Sequence, residues 1–113
     1  MQIRRGNYKL FKFQRKNKNK EIITELPDKM WFTVKDNANK TEFIFQKKLN
    51  DGITYTQEDN FYHLEIKQDD TEKLAYGNYE YDIKIKYGED KPKTLIVGNF
   101  EITKVVTHKE NEV

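Results

Sequence analysis

A chain of 113 residues with no cysteine and no serine has the size of one domain and excludes a disulfide framework, a thiolate metal site, and cysteine or serine nucleophiles. Its 21 Lys or Arg against 19 Asp or Glu leave a net charge of +2, too little to drive sequence-blind binding to nucleic acid or membrane unless the charge is clustered. No apolar run approaches the ~20 residues that cross a bilayer, and the start lacks the apolar stretch of a secretory signal; the expectation is a soluble chain made in a cytoplasm.

Aromatic and β-branched residues recur at spacing two between polar turn clusters, which predicts strands rather than helices. "KLFKFQR" sets Phe11 and Phe13 on one face and Tyr8 and Leu10 on the other, and "KNKNKE" then turns the chain. "KMWFTVK" places Met30, Phe32 and Val34 inward and Trp31 outward, before the Asx-type turn "DNANKT". "EFIFQKKL" pairs Phe43 with Phe45 on one face, "NDG" is a tight-turn signal, and "ITYTQ" with "FYHLEIK" reads as a β-hairpin. In the second of these, Tyr62, Leu64 and Ile66 alternate with His63 and Glu65.

"QDDTEKLAYG" is the one helical segment: Asp69 caps a single turn, Glu72 reaches back and Gly77 ends it. "NYEYDIKIKY" alternates most cleanly, with Tyr79, Tyr81, Ile83 and Ile85 on one face. After "GEDKPK", the runs "TLIVGNFEI" and "TKVVTH" close the domain, Gly98 marking a bulge or a close backbone approach.

About eight short strands without intervening long helices predict an all-β fold, an immunoglobulin-like antiparallel β-sandwich with one short helical turn; a small barrel is the second reading. The domain spans residues 1–107, with a polar tail at 108–113. Phe11, Phe13, Phe32, Tyr79, Tyr81 and Phe100 are its expected core.

The ordered series "IRRGNYKLFKFQ", "MWFTVKD", "DGITYTQEDNFYHLEIKQDDTEKLAYGNYEYDIKI" and "TLIVGNFEITKVVT" resembles the small immunoglobulin-like domains of phage and prophage tail proteins, the group that includes the N-terminal domain of the phage baseplate upper protein. Members begin with a Gly-Asp-Thr turn before a Phe-x-Phe strand; Gly6, Phe11 and Phe13 match, while Asn7 and Tyr8 depart from it. An Asp-Thr turn before "G-x-Y-x-Y-D" matches Asp70, Thr71, Gly77, Tyr79, Tyr81 and Asp82. The resemblance implies a non-enzymatic structural or adaptor protein of a baseplate or tail tip, docking on other tail proteins, with room for a homo-oligomer. With no receptor-binding extension after the domain, a stand-alone accessory role is the form expected, located in the virion after assembly in the host cytoplasm.

Candidate chemistry is sparse. His63 shares its face only with Glu65, and His108 lies in the tail, so neither has the convergent partners of a metal site or general base. Glu58/Asp59 and Asp69/Asp70 lack the alternating ligands of a calcium loop and fit turn and helix capping. No Gly-rich loop precedes a helix to cradle phosphate, so neither enzymatic activity nor a cofactor is expected.

Outward aromatics Trp31, Tyr8, Tyr55, Tyr76 and Tyr87 are candidates for partner contact or for stacking on sugar rings, and a carbohydrate-binding or host-adhesion module binding wall glycan is the alternative function. The first twenty residues hold eight Lys or Arg and no acid. Lys12 and Arg15 join the candidate contact set. A phage-encoded regulator that binds a host protein or nucleic acid through this segment is a third reading, but Phe11 and Phe13 claim the strand for the core and the near-neutral whole disfavours nucleic acid. No membrane insertion is expected.

Overall fold

In the computed structural model, described for residues 1–37 and 39–104, the chain forms β1 (Gln2–Arg4), β2 (Lys9–Phe13), β3 (Lys29–Lys35), β4 (Phe45–Leu49), β5 (Gly52–Thr56), β6 (Phe61–Ile66), α1 (Gln68–Thr71), β7 (Gly77–Lys86) and β8 (Lys93–Thr103). The eight strands make one mixed sheet in the order β1-β8-β7-β3-β4-β5-β6-β2. The fold is therefore nearly all β with one helical turn, as the alternation predicts. Two pairings depart from the all-antiparallel expectation: β1 runs parallel to β8, and β4 meets β5 in parallel over two residue pairs, Lys48↔Gly52 and Leu49↔Ile53.

That second junction is where the chain turns from one half of the sheet to the other. "NDG" does not make a hairpin. Asn50 and Gly52 take left-handed angles (φ 70° and 102°), Asn50 N–H donates to the Ile53 carbonyl at 2.6 Å, and β5 then leads off to pair with β6. The two halves curl over one core of Ile3, Met30, Phe32, Val34, Ile53, Tyr62, Leu64, Ile66, Tyr79, Ile83, Ile85, Phe100 and Ile102. The period-two pattern explains this membership: every second residue of β3, β6 and β7 points in.

Of the expected core, Phe32, Tyr79 and Phe100 are buried, and Phe11, Phe13 and Tyr81 pack partly buried against it. Rings form two groups. Phe32 meets Tyr81, Phe100 and Phe45 with centroids 5.4, 6.1 and 6.2 Å apart, while Tyr62 stacks on Phe13 at 5.1 Å and leans on Tyr55 at 4.9 Å. Such pairs contribute roughly 0.5–1.5 kcal/mol beyond area burial.

Several local readings are corrected. Phe43 lies outside β4 and is exposed, because the strand begins only at Phe45. The helical turn is capped not by Asp69 and Glu72 but by Asp70, whose carboxylate accepts the Lys67 N–H at 2.7 Å; it stops at Glu72, and Gly77 instead opens β7.

Around Gly98 the bulge sits elsewhere, at Leu95 between the pairs Ile83↔Ile96 and Lys84↔Thr94. What Gly98 provides is room for a ring, since an added Cβ would lie 2.9 Å from Tyr81 Cε2. Residues of the run "TKVVTH" from 105 on, and the tail at 108–113 with His108, lie outside the described residues.

At one end of the core the fold is closed by its turns. Gly6, at φ 77°, donates its N–H to Thr71 Oγ1 at 2.9 Å, and Thr71 is fully buried. Asp70, beside it, also pairs with Lys47 Nζ of β4 at 2.6 Å. The turn after β1 and the turn carrying α1 are thus tied together over the bottom of the core.

Candidate functional site

The edge of the sheet at β2 is open. β2 is the last strand of the sheet: it pairs with β6 along Lys9↔Ile66 to Phe13↔Tyr62, and among the described residues no strand lies on its other side. Against that free edge lies a cavity of about 640 Å³, lined by Phe11 through Lys18 on one wall and by Ile83, Lys93, Leu95 and Ile96 on the other. Consecutive strand residues point to opposite faces, so a groove touched by Phe11, Lys12 and Phe13 together runs along the strand's edge rather than over one face.

Ile96 shows what is missing there. It pairs with Ile83 and shares its inward face, yet Ile83 is 5% exposed and Ile96 47%. The floor of the groove is thus apolar and uncovered. Its rim is basic, with Lys12, Lys16 and Lys18 exposed on one wall and Lys93 on the other. Asn17 shapes the basic turn by accepting the N–H groups of Asn19 and Glu21 at 2.9 and 3.0 Å, which closes a small hairpin bridged at Lys16↔Ile22.

Arg15 is not an ordinary outward strand charge. Its Nη1 donates to the Tyr87 hydroxyl at 2.7 Å and to the Glu25 carbonyl at 3.3 Å, tying the end of the groove to the loop after β7. Burial pulls the guanidinium pKa down, but the Tyr87 and Tyr62 hydroxyls outweigh it and the net direction is upward. The cation is held by the Tyr87 hydroxyl and the Glu25 carbonyl.

The remaining sequence candidates do not converge on this groove, apart from Lys12, which rests 5.0 Å over the Phe61 ring. Tyr8 is 58% exposed and donates to Glu65 Oε2 at 3.0 Å; that hydrogen bond is the main cause of its raised phenol pKa. Tyr76, exposed in the turn before β7, carries Arg5 at 4.3 Å and Lys104 at 5.7 Å on its ring.

Tyr55 and Tyr87 turn out to be partly buried against the core. Tyr55 leans on Tyr62, and its hydroxyl meets Asn60 Oδ1 at 2.5 Å. The strand "ITYTQ" buries Ile53 and places Tyr55 on the same side two residues on, which is why the outward reading fails.

Trp31 is half-buried and borders a separate depression of about 290 Å³ on the outer face of β3, β4 and β7, with Thr33, Phe43, Gln46 and Asp82. Gln46 Nε2 donates to Thr33 Oγ1 at 2.9 Å, while Asp82 Oδ1 is buried without a hydrogen-bond partner. His63, expected as a plain surface residue, is half-buried between the strands, its Nε2 unpartnered. Asp59 accepts the Phe61 N–H at 3.0 Å, a turn cap. Among the described residues no three His, Asp or Glu side chains converge in a way that could hold a metal ion, and no helix is long and apolar enough to cross a membrane.

Sequence reasoning missed Leu95, Ile96 and Ile23, which also borders the cavity, as groove residues. A signal was present in "LIV", three consecutive apolar residues that break the period-two alternation and mark the bulged, uncovered part of β8. No protein-family model matches the chain, and no curated protein matches it.

Proposed function

We propose that this chain is a non-enzymatic, immunoglobulin-like domain of a phage or prophage tail, a baseplate or tail-tip component that works by docking on other tail proteins. The observation that carries the reading is the contact between the two turns that bear the resemblance: Gly6 of the opening turn donates to Thr71 of the Asp-Thr turn. Motifs 65 residues apart in the chain thus serve one structural purpose, and their joint presence is explained by a shared fold.

Strand order supports the sandwich reading. Divided at the two-pair β4/β5 junction, the sheet becomes a five-stranded layer β1-β8-β7-β3-β4 and a three-stranded layer β5-β6-β2. A two-layer arrangement of this kind, antiparallel within each layer apart from β1 beside β8 and with an extra strand beside the central ones, resembles that of variable-type immunoglobulin domains. At the start of β7 the Tyr79 hydroxyl donates to the Ala75 carbonyl at 2.7 Å, the backbone-anchoring tyrosine such domains carry at the same corner.

Mass spectrometry of purified tail particles from the producing host tests the proposal: the chain is expected there in stoichiometric amounts, and its absence from virions overturns the tail assignment. The depression beside Trp31, with polar Thr33, Gln46 and Asp82 next to an aromatic wall, favours a second reading as a glycan-binding module. Saturable binding to host wall polysaccharide that Trp31→Ala abolishes would replace the structural reading; a flat titration keeps it.

A further inference from the structure

We infer that the groove along β2 accepts an extended acidic–apolar segment of a partner protein, which adds as a strand to the free β2 edge and buries its apolar side chains on Phe11, Phe13, Leu95 and Ile96. Three independent features converge on this. The edge of β2 is unpaired, so its outward N–H and C=O groups offer a ladder to an incoming strand, the mode by which sheets capture extended peptides. The floor beside that edge is apolar and uncovered, as the 47% exposure of Ile96 beside its 5% exposed partner Ile83 shows.

Charge then selects the occupant. Lys12, Lys16, Lys18 and Lys93 line the groove, and the first twenty residues contain no acid. A second copy of this β2 would therefore be repelled, while a strand with acidic residues alternating with apolar ones sets its carboxylates against the rim and its apolar side chains on the floor, because strand side chains alternate at period two. Nucleic acid would satisfy the lysines but not the backbone edge or the apolar floor.

The inference goes beyond the tail assignment and does not depend on it, since it is tested on the purified chain alone. The probe is a synthetic peptide of about eight residues alternating Glu with Val or Ile, a length matched to a typical strand, titrated into ¹⁵N-labelled protein. Saturable binding is expected, with shifts and slowed amide exchange at Lys9–Phe13 and with affinity that falls as salt rises. The double substitution Lys12→Glu and Lys16→Glu, at two exposed positions whose change leaves the core intact, is expected to weaken binding at least tenfold. Equal binding of a peptide with Lys in place of Glu overturns the inference, as do protection at β1 instead of β2, no binding at millimolar peptide, or displacement of the peptide by a single-stranded oligonucleotide that protects the same amides.

Discussion

The two flanks of the core are built from the same kind of residue and finished differently. At the closed end, Ile3 and Ile102 pair across β1 and β8, Thr71 is sealed beneath the Gly6 turn, and Asp70 links α1 to β4 through Lys47. At the open side, Phe11, Phe13 and Leu95 face one another only half-buried and Ile96 is about half exposed. The same alternation of apolar residues produces stability where a neighbouring element covers it and leaves an uncovered apolar groove where none does. Burial pattern, more than residue type, separates the two roles.

Substitutions should divide along that line. Phe100→Ala removes a ring that Phe32 and Phe45 both touch, and is expected to cost about 3–5 kcal/mol, a fall in Tm of at least about 12 °C at roughly 4 °C per kcal/mol; calorimetry reads it. At the closed end, Thr71→Val keeps the volume but strands the Gly6 N–H, an expected loss of about 1–3 kcal/mol in urea unfolding with an unchanged m-value.

A pH-dependent difference follows from Tyr62. Burial raises its phenol pKa above the usual 10.0, so the unfolded chain ionises first; the stabilising contribution is complete below about pH 10 and is lost as pH rises through the folded value. Glu65→Gln removes the carboxylate charge beside the Tyr8 hydroxyl and is expected to bring the raised Tyr8 phenol pKa down, read by NMR titration of the tyrosine rings. Smallest of all, Ile96→Ala at the open side should change stability by about 0.5 kcal/mol while weakening capture of the acidic–apolar peptide. A loss as large as that of Phe100→Ala would mean that the groove is part of the core.

Period-two patterning made most of the architecture legible. The inward faces of β3, β6 and β7 follow directly from the positions of Met30, Phe32, Val34, Tyr62, Leu64, Ile66 and the Tyr79-to-Ile85 series, and the β5/β6 hairpin follows from its turn. What stayed hidden depends on distant partners. β1 is three residues long, too short to carry a pattern, and exists because β8 offers it an edge.

The crossing at Asn50–Gly52 looks in sequence like a hairpin turn and instead leads from one half of the single sheet to the other through a short parallel pairing. Phe43 falls outside its expected strand because β4 begins only at Phe45, and Tyr55, expected outward, shares the buried side of Ile53 two residues earlier. The basic segment was visible from the first line of the sequence, but its lysines became a rim only when β8 set Leu95 and Ile96 opposite them.

Amide hydrogen exchange of the free protein, read residue by residue, tests the central claim that β2 is an open edge beside an uncovered groove. The account predicts that alternate amides of Lys9–Phe13, those turned away from β6, exchange orders of magnitude faster than the amides of β7, which is paired on both sides by β3 and β8. Uniform protection of all five β2 amides at the level of β7 would contradict it.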